Sequence, residues 1–581
     1  MNSLRHTFHS ACIRSYARCV ANYSIHGVSN TVLPNDGLEL SDFFKSQAGH
    51  EREQCRPSDG DQTGRNYFIE TYGCQMNVND SEVVGKLLQD KGYSVAPSAE
   101  EADVVLLNTC AIRENAESKI WQRLGYFKNL KLAMKQKRAS HVKKDQIVGV
   151  LGCMAERLKH KLLESDKLVD MVVGPDAYRD LPRLIDIVSP QTEGSYQNKA
   201  MNVQLSADET YADVIPVRQG GTNSVFLSIM RGCNNMCSFC VVPFTRGRER
   251  SRPMKSILEE VRYLSDNGVK EVTLLGQNVN SYADFSEREK MIFKPDPFKD
   301  YFGENYAKGF TTVYKPLREG AINFAELLSE VASVDPEMRI RFTSPHPKDF
   351  SDDVISAIKS HDNICKQLHM PAQSGSTNVL KRMNRGYSRE AYDDLVAHIR
   401  SQIPGAALST DMIAGFCGET EEDHQASVDL MRSIKYDLGF LFAYSRRGKT
   451  HAAKKYVDDV PEDVKKQRLQ ELIFEYRQGL SDLAADEVGR RHIVLVEGPA
   501  RKSENQLTGR TDTFKRVVFS NIKVPSSYLN GSAEPVSLQA GDYVAVQIVG
   551  GGTGATLKGT PLGRTTIQEF TALHGTTVPL T

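Results

Sequence analysis

A chain of 581 residues whose 73 basic and 73 acidic side chains cancel has no bulk charge to draw it onto nucleic acid, so any such contact must be a local patch. The length suits about three domains of roughly 100–200 residues each. No apolar run approaches the roughly 20 residues of a membrane span, so no transmembrane helix is predicted and no membrane partner is expected, and eleven cysteines, an odd number at this length, argue against a disulfide-built scaffold.

Residues 1–35 contain no Asp or Glu and carry Arg5, Arg14 and Arg18 among Ser3, Ser10, Ser15, Ser24 and Ser29. Without an apolar core of about 7–15 residues, that composition predicts a mitochondrial transit peptide, a disordered tail being the alternative. Residues 36–65 are polar and turn-rich and read as a linker, so Cys12, Cys19 and Cys55 are set aside as ligands. An α/β domain over 66–190 follows. Strand patterns at Asn66–Tyr72, Ala102–Asn108 and Gln146–Leu151 alternate with helical runs, the first over Asp80–Lys91, and predict a parallel sheet covered by helices.

Each of those three strands runs into a cysteine: Cys74 in Thr71-Tyr72-Gly73-Cys74-Gln75-Met76-Asn77, Cys110 in Asn108-Thr109-Cys110-Ala111, and Cys153 in Leu151-Gly152-Cys153-Met154-Ala155. Parallel strands bring their carboxyl ends to one edge, where open α/β sheets bind ligands. The three thiols therefore read as one metal site assembled from three loops, although any one of them alone could be a small apolar residue at a strand end. The basic run Lys128–Lys144 (Lys128, Lys131, Lys135, Lys137, Arg138, Lys143 and Lys144) reads as a contact to nucleic-acid phosphates or as a solvated loop.

Over residues 219–455 the alternation resumes on a larger scale. Strand candidates end at Met230, Leu275, Phe342, His369, Ala414 and Tyr444 and predict a partial (β/α)6 barrel with its active site at the carboxyl ends of the strands. Residues 282–322 interrupt the pattern as an insertion beside the barrel mouth. After the first strand, Cys233, Cys237 and Cys240 stand at C-x3-C-x2-C. Three thiolates from one loop leave a metal position open for a small molecule; a structural zinc loop borrowing His369 is the competing reading. Five cations, Arg246, Arg248, Arg250, Arg252 and Lys255, follow the loop and suggest an anionic substrate. Cys365 and Cys417 read as packed thiols. Residues 456–488 form a charged helical connector. Over 489–565, the short runs His492–Val496, Arg516–Ser520, Asp542–Val549 and Thr556–Gly559 predict a small β-barrel. Its ten Lys and Arg against five Asp and Glu suit RNA, a structural appendage being the alternative.

On the three N-terminal cysteine motifs and Arg231-Gly232-Cys233-x3-Cys237-x2-Cys240, the chain resembles the MiaB-type methylthiotransferases of the radical S-adenosylmethionine superfamily. Its C-terminal barrel is similar to their TRAM domain. The leader, the insertion after Asn280-Ser281-Tyr282 and the run Phe342-Thr343-Ser344-Pro345-His346-Pro347 are similar to the eukaryotic mitochondrial branch. The resemblance implies methylthiolation of carbon 2 of N6-isopentenyl-adenosine at tRNA position 37, and localisation in the mitochondrial matrix. It implies two 4Fe-4S clusters, one on Cys233, Cys237 and Cys240 that cleaves S-adenosylmethionine, and an auxiliary one on Cys74, Cys110 and Cys153 that presents sulfur. S-adenosylmethionine is both radical source and methyl donor. Its pocket is implied at Gln277 and Asn278 for the methionyl amine, at Gln373, Ser374 and Arg382 for ribose and carboxylate, and at Gly415 and Glu419 beside the adenine. Implied partners are a tRNA anticodon stem-loop, a reducing electron-transfer protein and a sulfur donor. The run Tyr444-Ser445-Arg446-Arg447-Gly448-Lys449-Thr450 departs from the family's Tyr-Ser-x-Arg-x-Gly-Thr. Alternatives are a threonylcarbamoyl-adenosine or ribosomal-protein target, or a regulatory protein that binds a kinase activator.

Overall fold

The first βα series assembles into a six-stranded parallel sheet in a computed structural model that describes residues 64–111, 114–135, 146–164, 169–189, 199–218, 222–286, 307–311, 320–501, 503–551 and 556–575. The leader, almost all of the linker, most of the insertion and the Lys137–Lys144 end of the basic run lie outside these residues. The sheet consists of β1 (Asn66–Thr71), β2 (Ser94–Val95), β3 (Val104–Thr109), β4 (Ile147–Gly152), β5 (Met171–Val173) and β6 (Ala200–Asn202), in the order β2-β1-β3-β4-β5-β6. Every residue of β3 and β4 is buried. Helices cover both faces, which is why these strands read as continuous apolar runs rather than alternating ones. Val104, Leu106 and Leu151 enter one core and Val105, Leu107, Val148 and Val150 the other. The order reverses between β1 and β3, so Cys74 and Cys110 flank a topological switch point, the place where such sheets bind ligands.

The central barrel is built from β7 (Ser224–Ser228), β10 (Glu271–Leu275), β13 (Arg339–Phe342), β14 (Gln367–His369), β15 (Ala407–Ala414) and β16 (Leu438–Ala443). They form two parallel sheets, β13-β10-β7 and β14-β15-β16, and a bridge between Ile340 and Ile364 joins the two into one partial (β/α)6 wall. Strand ends agree with the sequence pattern to within two residues, Ser228 and Ala443 replacing Met230 and Tyr444. Leu227, Leu274, Ile340, Leu368, Leu408 and Met412 face outward into the largest apolar core, under helices such as Phe324–Val334 and Glu421–Ile434. Asn323 with Glu326, and Thr420 with Asp423, close capping boxes that start those two helices. Two short antiparallel pairs trim the mouth. The pair β8 (Met230–Arg231) and β9 (Arg250–Ser251) closes the loop that carries Cys233, Cys237 and Cys240, and β11 (Ala283–Asp284) with β12 (Ile322–Asn323) closes the base of the insertion.

The connector is a helix over Glu462–Asp486 packed on β15 and β16. Beyond it, β17 (Arg491–Ala500), β18 (Ser503–Thr511), β19 (Arg516–Ser520), β22 (Tyr543–Gly551) and β23 (Thr556–Arg564) close into a barrel in the order β17-β18-β19-β23-β22, with a small β20 (Val524–Pro525) and β21 (Pro535–Val536) pair at its side. It docks on the amino ends of the central strands. Arg341 donates to the carbonyls of Thr511 and Asp512, both at 2.7 Å, and pairs with Glu271; Arg339 donates to the carbonyls of Ile493 and Arg510 at 2.7 and 2.8 Å. Among the described residues, no helix is long and apolar enough to cross a membrane.

Glu487 fastens the connector to this barrel, meeting His492 Nε2 and Lys515 Nζ at 2.5 Å each, while Lys515 also reaches Asp437 at 3.0 Å. Burial alone would raise this carboxyl, but His492 and Lys515 prevail and hold it at about 2. A depressed folded-state pKa contributes stability above the unfolded value, about 4.3, that is lost as pH falls through the folded one. Thermal melts of the wild type should therefore lose stability between about pH 4.5 and 2. Glu487→Gln should be less stable at pH 7 by about 2–3 kcal/mol, with a flatter profile over the acid range; equal slopes for the two proteins would refute the assignment.

Candidate functional site

The N-terminal triad forms because three strand ends are locked together. The helix Gln75–Gln89 starts directly after Cys74. Its first turn carries Asn77, whose amide donates to Asn108 Oδ1 at 3.0 Å and to the Thr109 carbonyl at 3.1 Å, while Asn108 returns a bond to the Asn77 carbonyl at 2.9 Å. Gly73 has φ of 132°, and a Cβ there would stand 2.5 Å from the Cβ of Cys110, so only glycine lets the two cysteine loops touch. The Cys110 thiol, followed by burial, pushes Cys74 well above the ordinary thiol range, and burial raises Cys153 against the opposing Arg246.

The second triad is held from three sides. Gly232 adopts φ of 76°, and a side chain there would run into the Arg248 carbonyl, so the loop folds back tightly on its own exit. Gln277 Oε1 accepts the Gly232 N–H at 2.5 Å. From the far wall, Ser238 Oγ donates to the Arg382 carbonyl at 2.9 Å, Asn384 to the Met236 carbonyl at 2.8 Å, and Arg385 to Cys237 Sγ at 3.2 Å and to the Pro371 carbonyl at 2.8 Å. The N–H groups of Asn235 and Val242 point at the sulfurs of Cys233 and Cys240, both at 3.4 Å. Burial and the neighbouring thiols raise Cys233 well above its ordinary range and Cys240 to about 12.

The two triads adjoin. Cys153 and Ala111, next to Cys110, pack against Val241, next to Cys240. Arg246 lies in this junction, donating from Nε to Cys153 Sγ at 3.1 Å and from Nη2 to Asp80 Oδ2 at 2.7 Å, and Arg231 reaches Asp80 Oδ1 at 2.9 Å. Asp80 is fully buried, which alone would raise its pKa, but the two guanidiniums hold it below the usual carboxylate range. This corrects one expectation from the sequence. Arg246, Arg250 and Arg252 do not face a substrate: all three are buried, on Asp80, on Asp176 at 2.9 Å and on Glu260 at 2.6 Å respectively. Of the five cations, Arg248 and Lys255 are the exposed ones.

The zinc reading also loses its fourth ligand. His369 turns Nδ1 to Ser409 Oγ at 3.0 Å and Nε2 toward Asp411 at 3.6 Å. Among the described residues, no three Cys, His, Asp or Glu side chains converge as a single chelated ion requires. The donor sets, all thiol and fed by N–H and guanidinium donors, fit a polynuclear iron–sulfur cluster, in which each thiolate takes a different iron.

The residues expected around S-adenosylmethionine fall into three groups. Asn278 is buried and donates to Asp349 at 2.9 Å, leaving its Oδ1 without a partner, and Arg382 donates from Nη2 to the Gly418 carbonyl at 2.5 Å while its Nε is unmatched. An orphaned acceptor and an orphaned donor fit an amino-acid moiety. Gln373 takes φ of 71° in an isolated bridge beyond β14 and exchanges backbone bonds with Asp411 and Ile413; Ser374 Oγ lies 3.3 Å from Ser427 Oγ. Gly415 and Glu419 turn toward the connector instead: the Gly415 N–H donates to Glu419 Oε1 at 2.8 Å, and Arg468 meets the same carboxylate at 3.1 Å. Sequence reasoning missed Asp80 and Arg385. The one legible signal was at the start of the first helix, where Asn77, Asn79 and Asp80 are polar at positions that prove buried.

The family model described as "Uncharacterized protein family UPF0004" matches residues 66–174, and that of the Radical SAM superfamily matches residues 227–431. "Mitochondrial tRNA methylthiotransferase CDK5RAP1" of Rattus norvegicus is 53% identical over 506 residues, covering 87% of this chain and 82% of the relative. A "CDK5RAP1-like protein" of Oryza sativa subsp. japonica is 50% identical over 518 residues, covering 88% and 83%. "tRNA-2-methylthio-N(6)-dimethylallyladenosine synthase" of Amoebophilus asiaticus is 47% identical over 489 residues, covering 83% and 93%.

Removing the Asp80 carboxylate strands two buried guanidiniums. Asp80→Ala should destabilise the protein by about 3–5 kcal/mol, and Asp80→Asn, which keeps shape and one acceptor, by less. Urea unfolding measures both; an alanine variant as stable as wild type would show that the ion pairs are not what joins the two triads.

Proposed function

The chain belongs to the tRNA methylthiotransferase family of radical S-adenosylmethionine enzymes, and from that premise we infer that it converts N6-dimethylallyladenosine (isopentenyl-adenosine) at position 37 of tRNA to its 2-methylthio derivative, in mitochondria. The carbon to be modified is an aromatic C–H, neither acidic nor electrophilic, so general acid–base or nucleophilic catalysis has little purchase on it. The cofactors carry the difficult step and the protein positions them. The observation that carries the reading is the junction at Val241 and Arg246, which makes one site of two thiol triads.

Cys233, Cys237 and Cys240 would hold a 4Fe-4S cluster, and Cys74, Cys110 and Cys153 a second one; bound there, the first would supply the electron for splitting S-adenosylmethionine and the second the sulfur. Everything else is holding. Arg385 and Arg246 donate to Cys237 and Cys153 and so favour negative charge on those sulfurs. Asn278 Oδ1 and Arg382 Nε, both left without an internal partner, would receive the methionyl ammonium and carboxylate, with Gln373 and Ser374 toward the ribose. Gln277 acts through Gly232 by orienting the cysteine loop, while Glu419 holds the Gly415 turn and ties it to Arg468 of the connector, so these two residues would act on the adenine side only through the shape of that turn.

Residues 66–190 then form the sulfur-bearing domain, 219–455 the radical domain, 456–488 the connector and 489–565 a TRAM domain. The exposed Arg501, Arg516, Lys523 and Lys558 of the last barrel offer phosphate contacts to the anticodon stem-loop. The reaction calls for a reducing electron-transfer protein and a sulfur donor, and the acid-free leader directs the chain to the matrix. Binding of a kinase activator would be a separate role, independent of this chemistry.

After anaerobic reconstitution the wild type should hold about eight irons per chain, and turnover with a dimethylallylated anticodon stem-loop should yield the methylthio nucleoside. Cys237→Ala should abolish both 5′-deoxyadenosine and methylthio product. Cys74→Ala should still form 5′-deoxyadenosine but no methylthio product. Mass spectrometry detecting that product from Cys74→Ala would overturn the assignment of the N-terminal triad.

A further inference from the structure

Two large aromatic side chains stand uncovered on the last strand of the central barrel. Phe440 and Phe442 of β16 are 39% and 44% exposed, although their strand is paired with β15 on one side and packed on the connector helix. The alternation of a strand settles which way they point. Gly439 faces the connector, where a Cβ would stand 3.1 Å from the Tyr476 ring, and Leu441 packs on the main core. Phe440 and Phe442 therefore project from the opposite face, onto the concave side of the barrel wall. Register puts Asp411 beside Phe440 and Ile413 beside Phe442 on that same face. His369 presents its ring edge-on to Phe440 at 6.1 Å. Ile413 in turn packs into an apolar cluster with Phe239, which sits between Cys237 and Cys240. The apolar side of this wall and the cysteine loop thus share one cluster, built on Val379, Met383, Phe416 and Tyr444.

A base modified in an RNA loop must be drawn out of its stack into such a concavity. An adenine alkylated on N6 by a branched five-carbon chain presents two features side by side: one remaining N6–H donor, and hydrocarbon. The wall offers their complements in the same arrangement. Asp411 is partly exposed and carries an acceptor oxygen, and the two phenyl rings next to it carry none. Taking the N6-dimethylallyladenosine substrate of the preceding section as given, we propose that Phe440, Phe442 and Asp411 are the specificity-determining residues for the N6 substituent. Asp411 accepts the N6–H and the two rings cover the hydrocarbon. The same wall rejects an N6 substituent that carries a carboxylate, because that anion would face Asp411 at short range and lose its hydration against phenyl rings. It is therefore the feature that separates a dimethylallyl target from a threonylcarbamoyl one.

The test uses full-length, anaerobically reconstituted protein and fluorescently labelled anticodon stem-loops carrying adenosine, N6-dimethylallyladenosine or N6-threonylcarbamoyladenosine. Wild type should bind the dimethylallyl form at least about tenfold more tightly than the unmodified one, the range a hydrophobic pocket can discriminate. The Phe440→Ala/Phe442→Ala double variant should reduce that ratio to less than about twofold. The Phe440→Leu/Phe442→Leu double variant, which restores hydrocarbon without aromatic rings, should recover most of it, separating a lost wall from a misfolded barrel. Asp411→Asn should raise the affinity for the threonylcarbamoyl form. A double-alanine variant that keeps the wild-type preference would overturn the proposal while leaving the substrate reading intact. Wild type that neither prefers nor methylthiolates the dimethylallyl stem-loop would instead overturn the substrate reading, and this proposal with it.

Discussion

Asp80 lies in the first turns of the helix that begins at Cys74, with no access to water, and is held by guanidiniums from both ends of the other cysteine loop. Burying a carboxylate costs several kcal/mol unless its charge and lone pairs are met, so this side chain ties the three segments together. Arg231 immediately precedes Gly232-Cys233, and Arg246 follows the short helix Val242–Thr245 that begins after Cys240 and Val241. Once both meet Asp80, the loop with Cys233, Cys237 and Cys240 is fixed relative to the strand ends that carry Cys74, Cys110 and Cys153. Asp176 repeats the device one step away, with Arg250 at 2.9 Å and Arg231 at 3.7 Å. Three guanidiniums against two carboxylates leave one positive charge over, and Arg246 turns it on Cys153 Sγ. That surplus suits a site whose working ligands are thiolates.

Arginine joins the barrel's other end as well, but to different acceptors. On the carboxyl side of the strands the guanidiniums meet carboxylates; on the amino side, Arg339 and Arg341 meet carbonyls of β17, of β18 and of the turn after it. A planar fork of donors suits both tasks, because it satisfies two acceptors with one rigid group. The barrel wall therefore has a reactive end and a docking end, as (β/α) barrels generally do. The connector helix, packed along β15 and β16, links the two, and its Lys465, Arg468 and Glu487 reach Tyr444, Glu419 and Lys515 in turn.

Much of this was legible in the sequence where the signal was local or repeated. Long apolar runs located β3, β4, β10 and β15, and equivalent cysteines after three parallel strands pointed to a shared edge. The two- and three-residue strands β2, β5 and β6 carry too little pattern to be seen. The nine-residue strand β18 is mostly polar and exists because β17 and β19 pair with it on either side. The Arg246–Arg252 segment was misread for a related reason. The acids of Arg246 and Arg250, Asp80 and Asp176, lie far back in the chain, and a cation whose partner arrives through tertiary structure looks unpaired in sequence; Arg252 has its partner, Glu260, eight residues on. Arg385 was missed because nothing local distinguishes it from Arg382, yet the helix ends at Arg382 and the turn through Asn384, at φ of 58°, decides which guanidinium reaches Cys237.

The titratable groups near the barrel mouth argue for what kind of chemistry the protein itself performs. His346 is buried, and that burial, with Arg385 and Lys348 nearby, keeps its imidazole neutral well below the usual range; its Nδ1 already accepts the Lys348 N–H at 3.2 Å. Lys348 is locked on Asp349 at 2.7 Å, and Asp349 on Asn278 at 2.9 Å. A general acid or base needs a proton poised near the working pH and free to move. These groups are instead saturated with internal partners, and such saturation makes a rigid frame. A frame of this kind contributes little to a proton transfer and a great deal to a reaction whose reactive species must be confined. It also shifts selectivity onto shape and polarity, and so onto groups with contacts still to make: Asn278 Oδ1, Arg382 Nε and the uncovered face of β16.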